Sequence, residues 1–118
     1  MIFKTNETIY TQIADYLKRQ IFSEKYKKGE KLPPIRELAI TTKVNPNTIV
    51  RVYQELSEEG IIYTDSTNGK FVTEDINFLN DCKNNYIREK MKKLIEDVKE
   101  CNFDKKEMIK LLEELLNG

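Results

Sequence analysis

The chain has no histidine and no tryptophan. Without histidine there is no imidazole to act as a general base near neutral pH or to bind zinc. Cysteine is almost as scarce. Cys82 and Cys101 lack the close spacing of a metal or redox motif. They read as buried or half-buried thiols, with a redox switch as the alternative. No apolar run approaches the ~20 residues of a membrane span. The opening MIFKTNETIY lacks the charged and apolar regions of a secretory signal, which points to the cytoplasm. There is no nucleophile motif and no phosphate loop. Carboxylates are plentiful, but they are mixed with lysines as on solvated helix faces. The expectation is therefore no enzyme, no cofactor and no metal site.

Net charge is also missing: 20 Lys and Arg balance 20 Asp and Glu over 118 residues. The balance is not local. Residues 1–73 hold 11 basic and 9 acidic side chains, and residues 74–118 hold 9 and 11. Within residues 25–51, seven basic side chains face only Glu30 and Glu37. A local excess of this kind suits a surface that meets phosphate.

What is present centres on Leu32 to Leu56, LPPIRELAITTKVNPNTIVRVYQEL. Two short helical patterns, Pro34 to about Thr42 and Pro46 to about Glu59, are broken by a turn. Asn45 suits an N-cap, and Pro46 suits the first helical position, where its missing N–H costs nothing. Ile49, Val52, Tyr53 and Leu56 share one face by helical spacing, and Asn47, Val50, Arg51 and Gln54 share the other. Such a helix packs its back on the preceding helix and offers its first turn to base edges. Before it, Ile9, Ile13, Tyr16, Leu17 and Ile21 mark a core helix, with Tyr10, Asp15, Lys18 and Arg19 mostly outside. Residues 1–8 read as a frayed start. Gly29 suits a turn, and the lysines around it read as loop charges or phosphate contacts. Gly60 suits a helix stop. Ile61–Thr64 and Lys70–Thr73 read as strands around an Asn68-Gly69 hairpin turn.

The motifs Leu32-Pro33, Arg36-Glu37-Leu38-Ala39, Val44-Asn45-Pro46-Asn47-Thr48, Arg51, Tyr53-Gln54-Glu55-Leu56, Glu59-Gly60 and Phe71-Val72 fall at one combined spacing. In this the chain resembles the GntR-type winged helix-turn-helix repressors, and among them the short YtrA-like branch, over roughly residues 8 to 73. The resemblance implies a mainly α fold with a small β-hairpin wing: a winged helix-turn-helix domain, residues 1–73, and a C-terminal two-helix dimerisation appendage, residues 74–118. It implies that Arg36 contacts DNA on base or backbone. It also implies control of transporter genes, often beside the regulator's own gene. The sequence departs from the family pattern in three places. Pro34 stands where a small polar cap is usual. Pro46 and Asn47 stand where other branches place basic residues. Ser66 and Thr67 replace the basic residue and first glycine of the wing tip, leaving Gly69 and Lys70, so the wing lacks one of the glycines that let the family's backbone enter the minor groove. Asn47 can read adenine and Val50 a thymine methyl; Arg51 can reach guanine or phosphate. The expected DNA contacts are Arg36, Lys43, Asn45, Pro46, Asn47, Thr48, Val50, Arg51, Gly69 and Lys70.

From Glu74 onward, Ile76, Leu79, Ile87, Met91, Leu94, Val98 and Cys101 recur at steps of three and four, with one interruption near Lys83. Asn102-Phe103 breaks the pattern. Asp104 with Glu107 makes a capping box for a last helix bearing Met108, Ile109, Leu111, Leu112, Leu115 and Leu116. So much apolar surface must pack on the long helix, on the first domain or on a second copy. The expected dimerisation residues are Ile87, Met91, Leu94, Val98, Ile109, Leu112 and Leu116. Roughly 45 residues leave little room for a buried ligand pocket, so a small-molecule effector, its identity open, would sit at the dimer seam. The expected function is a sequence-specific homodimeric repressor on a pseudo-palindromic operator. Its rival is a winged-helix protein-interaction module without specific DNA binding, favoured by the zero net charge and the weak wing. The polar start of the recognition helix argues against that rival.

Overall fold

The computed structural model describes all residues except 1, 4, 5, 6 and 68. The frayed start expected at residues 1–8 therefore falls partly outside the described residues, as does Asn68 of the expected hairpin turn. The elements run α1 (Ile9–Phe22), α2 (Ile35–Thr42), α3 (Pro46–Glu58), β1 (Ile62–Thr64), β2 (Lys70–Val72), α4 (Ile76–Glu100) and α5 (Lys105–Asn117). This is the mainly helical architecture with one antiparallel hairpin that the sequence implied. The chain forms two compact units, Met1–Cys82 and Lys83–Gly118.

The first unit has a core. Ile13, Leu17 and Ile21 of α1, Leu38 and Ala39 of α2, and Ile49, Val52, Tyr53 and Leu56 of α3 are buried together with Ile62, Val72 and Leu79. Burying each of the larger ones stabilises the fold by about 1.5–3 kcal/mol. Two expected core members behave otherwise: Ile9, at the open first turn of α1, is exposed, and Tyr16 is only half-buried. The phenol of Tyr53 donates to the Pro33 carbonyl at 2.6 Å, satisfying the one polar atom this ring carries inward. Burial pushes that phenol well above its usual range.

The turns follow from backbone chemistry. α3 ends in a reciprocal pair of bonds, Gly60 N–H to Ser57 O at 3.0 Å and Ile61 N–H to Leu56 O at 3.0 Å, with Gly60 at φ +80°. α2 ends the same way, through Lys43 N–H to Ile40 O and Val44 N–H to Ala39 O. Here the left-handed position is held by Lys43, at φ 56°, not by glycine. That conformation costs a side-chain-bearing residue about 1–2 kcal/mol.

The hairpin pairs Ile62 with Val72, Tyr63 with Phe71 and Thr64 with Lys70. A third strip joins it, which the sequence did not disclose. Lys31 bridges Phe71, with Leu32 N–H donating to Lys70 O at 2.8 Å and Val72 N–H to Glu30 O at 2.9 Å. The segment read as a lysine-bearing loop thus also edges the sheet.

In the second unit α5 has no buried residue, and along α4 beyond Cys82 none is buried. α5 opens with the expected capping box: the Asp104 carboxylate accepts the Glu107 N–H at 2.9 Å, and the Glu107 carboxylate accepts the Asp104 N–H at 3.3 Å. Cys82 is half-buried as expected, but Cys101 is exposed. The correction has a plain cause: Cys101 lies just past the end of α4, before the left-handed Asn102, in a unit with no interior to receive it. Burial, then the charges of Glu59 and Asp81, push the Cys82 thiol up, which disfavours the reactive thiolate.

Candidate nucleic-acid interface

α3 supplies the centre of the candidate surface. Its Asn45 side chain accepts the Asn47 N–H at 2.8 Å, and Pro46 occupies the first turn. The free N–H groups of that turn are thus partly satisfied before any ligand arrives. With Ile49, Val52, Tyr53 and Leu56 buried, helical spacing leaves Asn45, Pro46, Asn47, Val50, Arg51 and Gln54 exposed, with Thr48 half-buried. Val50 is 44% exposed, an apolar side chain with no core to fill. The face expected to meet bases is the face the fold leaves open.

Arg36 sits on the first turn of α2, exposed, and makes no ion pair among the described residues. The pairing with Glu37 that would have made it merely structural does not form. Pro34 precedes α2 as its N-cap and makes no side-chain cap bond, as the departure from the usual polar cap implied. Lys43 is exposed at the tip of the turn between α2 and α3. Five of the ten expected contacts (Asn45, Pro46, Asn47, Val50 and Arg51) are thus brought together as exposed residues over the first two turns of one helix. Arg36 and Lys43 come from the neighbouring α2 and its end.

The hairpin supplies Gly69 and Lys70, both half-buried. Lys70 Nζ donates to Thr64 Oγ1 at 2.6 Å across the strand pair, so its charge lies along the hairpin. Asp65 organises the tip. Its carboxylate accepts from the Thr67 hydroxyl at 2.6 Å, the Thr67 N–H at 2.9 Å and the Gly69 N–H at 3.3 Å. The Thr67 hydroxyl chiefly holds that carboxyl below its usual range. Gly69 has a reason of its own. A Cβ there would stand 2.9 Å from the Phe71 ring and 3.2 Å from Lys31 Cε, so the glycine makes room. Phe71 in turn stacks on Tyr63, with centroids 5.7 Å apart.

One participant was missed. Helical spacing puts Tyr10 mostly outside, yet it is half-buried and lies against α3. The Arg51 guanidinium sits over the Tyr10 ring, 4.0 Å from its centroid. The Tyr10 hydroxyl donates to Glu55, one turn beyond Arg51. The pairing spans more than forty positions, and no local pattern could have announced it.

Comparison with known proteins accords with this geometry. The family model described as "Bacterial regulatory proteins, gntR family" matches residues 9–72. The chain is 35% identical over 116 residues to the uncharacterized HTH-type transcriptional regulator YhcF of Bacillus subtilis (strain 168), covering 98% of this chain and 96% of that protein. It is 38% identical over 95 residues to the HTH-type transcriptional repressor YtrA of the same organism, covering 80% of this chain and 73% of that one. A solved GntR family transcriptional regulator from Listeria monocytogenes matches with a TM-score of 0.89 and 34% identity, over 95% of this chain and 98% of that chain. The chain therefore belongs to the GntR family of DNA-binding transcriptional regulators and is not an enzyme.

Proposed function

We propose that this regulator is a homodimeric repressor that reads a pseudo-palindromic operator through α3. Residues 1–73 carry the DNA contact and residues 74–118 the pairing. The protein works in the cytoplasm, where its operator is. The observation that carries the reading is the division of α3: four large side chains buried on one side, and Asn47, Val50 and Arg51 exposed on the other near its N-terminal end. Two such helices related by a two-fold axis would enter major grooves one or more helical turns apart. The repressor sense rests on the similar YtrA, which is a repressor by name.

In this reading Asn45, Pro46, Asn47 and Thr48 approach the bases, Val50 meets a thymine methyl, and Arg51 reaches guanine or phosphate. Arg36 and Lys43 flank them on phosphate or base. Gly69 and Lys70 are the outer contacts. The pairing surface is the apolar set Ile87, Met91, Leu94, Val98, Ile109, Leu112 and Leu116. Leu112 and Leu116 are 50% and 76% exposed in the single chain, which favours cover from a second copy.

Selection from a random duplex pool, followed by affinity against salt for the winner and a scrambled control, tests the reading. An enriched palindrome bound far more tightly than the control is the expected result. A steep salt slope without enrichment would reduce the activity to electrostatic attachment. No binding at all would favour the protein-interaction module. With the winner in hand, Arg51→Ala should cost about 1–3 kcal/mol of specific affinity. Equal losses on operator and random duplex would assign Arg51 to phosphate.

A further inference from the structure

We infer that Tyr10, on the first helix, is a positioning residue for operator binding: it holds the Arg51 guanidinium ready for DNA and keeps Glu55 from capturing it. The inference rests on the reading of Arg51 as a DNA contact.

Arg51 and Glu55 stand four apart on α3, within reach of each other on a helix surface. Such a pair can close on itself and occupy part of the guanidinium's donor fork. Among the described residues that ion pair does not form. The Glu55 carboxylate is taken instead by the Tyr10 hydroxyl. The Arg51 guanidinium lies over the face of the same ring, 4.0 Å from the centroid. A ring face attracts the cation without using its N–H groups. The donors of Arg51 therefore stay available for the planar, two-pronged contact that a guanine edge or a phosphate accepts.

Charge state supports the arrangement. Partial burial, then the bond to Glu55, push the Tyr10 phenol up to about 12. It stays a neutral donor throughout the working range. Rigidity supports it too. Tyr10 stands in the first turn of α1, after the Thr8 cap, whose hydroxyl accepts the Thr11 N–H at 3.1 Å. Its neighbours Ile13 and Ala14 are buried in the core. The ring is thus carried by a fixed helix, and the guanidinium it supports loses less freedom when DNA arrives.

A double-mutant cycle on the selected operator, with the full-length protein, tests this. Tyr10→Leu should weaken operator binding about five- to tenfold in the native background. In an Arg51→Ala background the same change should have almost no effect. Tyr10→Phe keeps the ring but frees Glu55, and should give a smaller loss. The thermal midpoint is followed in parallel, and Tyr10→Phe serves if Tyr10→Leu does not fold. Equal losses with and without Arg51 would overturn the inference and leave Tyr10 a packing residue. Tighter binding by Tyr10→Leu would also overturn it, because the ring would then be storing Arg51 away from DNA. If Arg51→Ala itself leaves operator affinity unchanged, Arg51 is no DNA contact and the inference falls with that reading. If Arg51→Ala weakens binding while Tyr10→Leu does not, only the inference fails.

Discussion

Residues up to Cys82 and residues from Lys83 onward are built of the same materials and end differently. Both units are rich in helix and in charged side chains, and both place leucine and isoleucine at helical spacing. In the first, three helices and a hairpin meet, and side chains such as Leu17, Ile49 and Leu56 have no exposed surface. In the second, Leu112, Leu115 and Leu116 are at least half exposed. Amphipathic pattern alone does not make a core. It makes a demand for cover, which the first unit meets internally and the second leaves to another surface. α4 shows the change within one helix. Leu79 is buried, and past the pattern break near Lys83 no residue of α4 is.

Substitutions in each unit separate the two outcomes. The largest effect belongs inside the first unit. Leu56→Ala should cost about 2–5 kcal/mol, because the vacated space is walled by α1 and α3 packing. Thermal or denaturant unfolding would show it, and a loss below 1 kcal/mol would mean that the core is less tightly packed than its burial implies. In the second unit the same chemistry should be silent for folding and large for association. If the proposed pairing of two copies runs through this face, Leu112→Glu should weaken it about tenfold or more, with operator affinity falling alongside. Sedimentation equilibrium decides, and an unchanged mass would mean that the apolar face is covered in some other way.

Smaller effects sit at the turns. Lys43→Gly relieves the left-handed strain and should stabilise the first unit by about 0.5–1 kcal/mol. The same change should weaken DNA binding if the Lys43 ammonium meets phosphate. A variant gaining in stability while losing in affinity would separate the two roles of that residue. The smallest effect concerns the wing tip. The Asp65 carboxyl lies below its usual range when folded, so its bonds strengthen the tip above the unfolded value near 3.8 and are lost as pH falls below it. Amide shifts of Thr67 and Gly69 should move together in that acid window while the α3 amides stay still.

Local chemistry was legible in the sequence, and distant pairing was not. Asp104 and Glu107 announce a helix start because a capping box closes within four residues. Asn45-Pro46 and Gly60 bracket α3 for the same reason, and the buried face of that helix follows from spacing alone. Lys43 was harder, since nothing marks a lysine for a position where glycine is the easy choice. The bridge from Lys31 to Phe71 joins segments forty residues apart, and each looked complete without the other. Gly69 was legible as a turn residue but not as a space for the Phe71 ring. Tyr10 escaped because an aromatic on the outer side of a core helix looks solvated until α3 is laid beside it.

The third strip along β2 has a bearing on how molecules of this protein meet. A two-stranded hairpin normally offers two rows of unpaired backbone groups, each a template for a stranger's strand. Here the backbone of Glu30 and Leu32 occupies the row beyond β2. What is left is the outer side of β1, three residues long and ending at Thr64. So short an edge is a poor template for runaway strand addition.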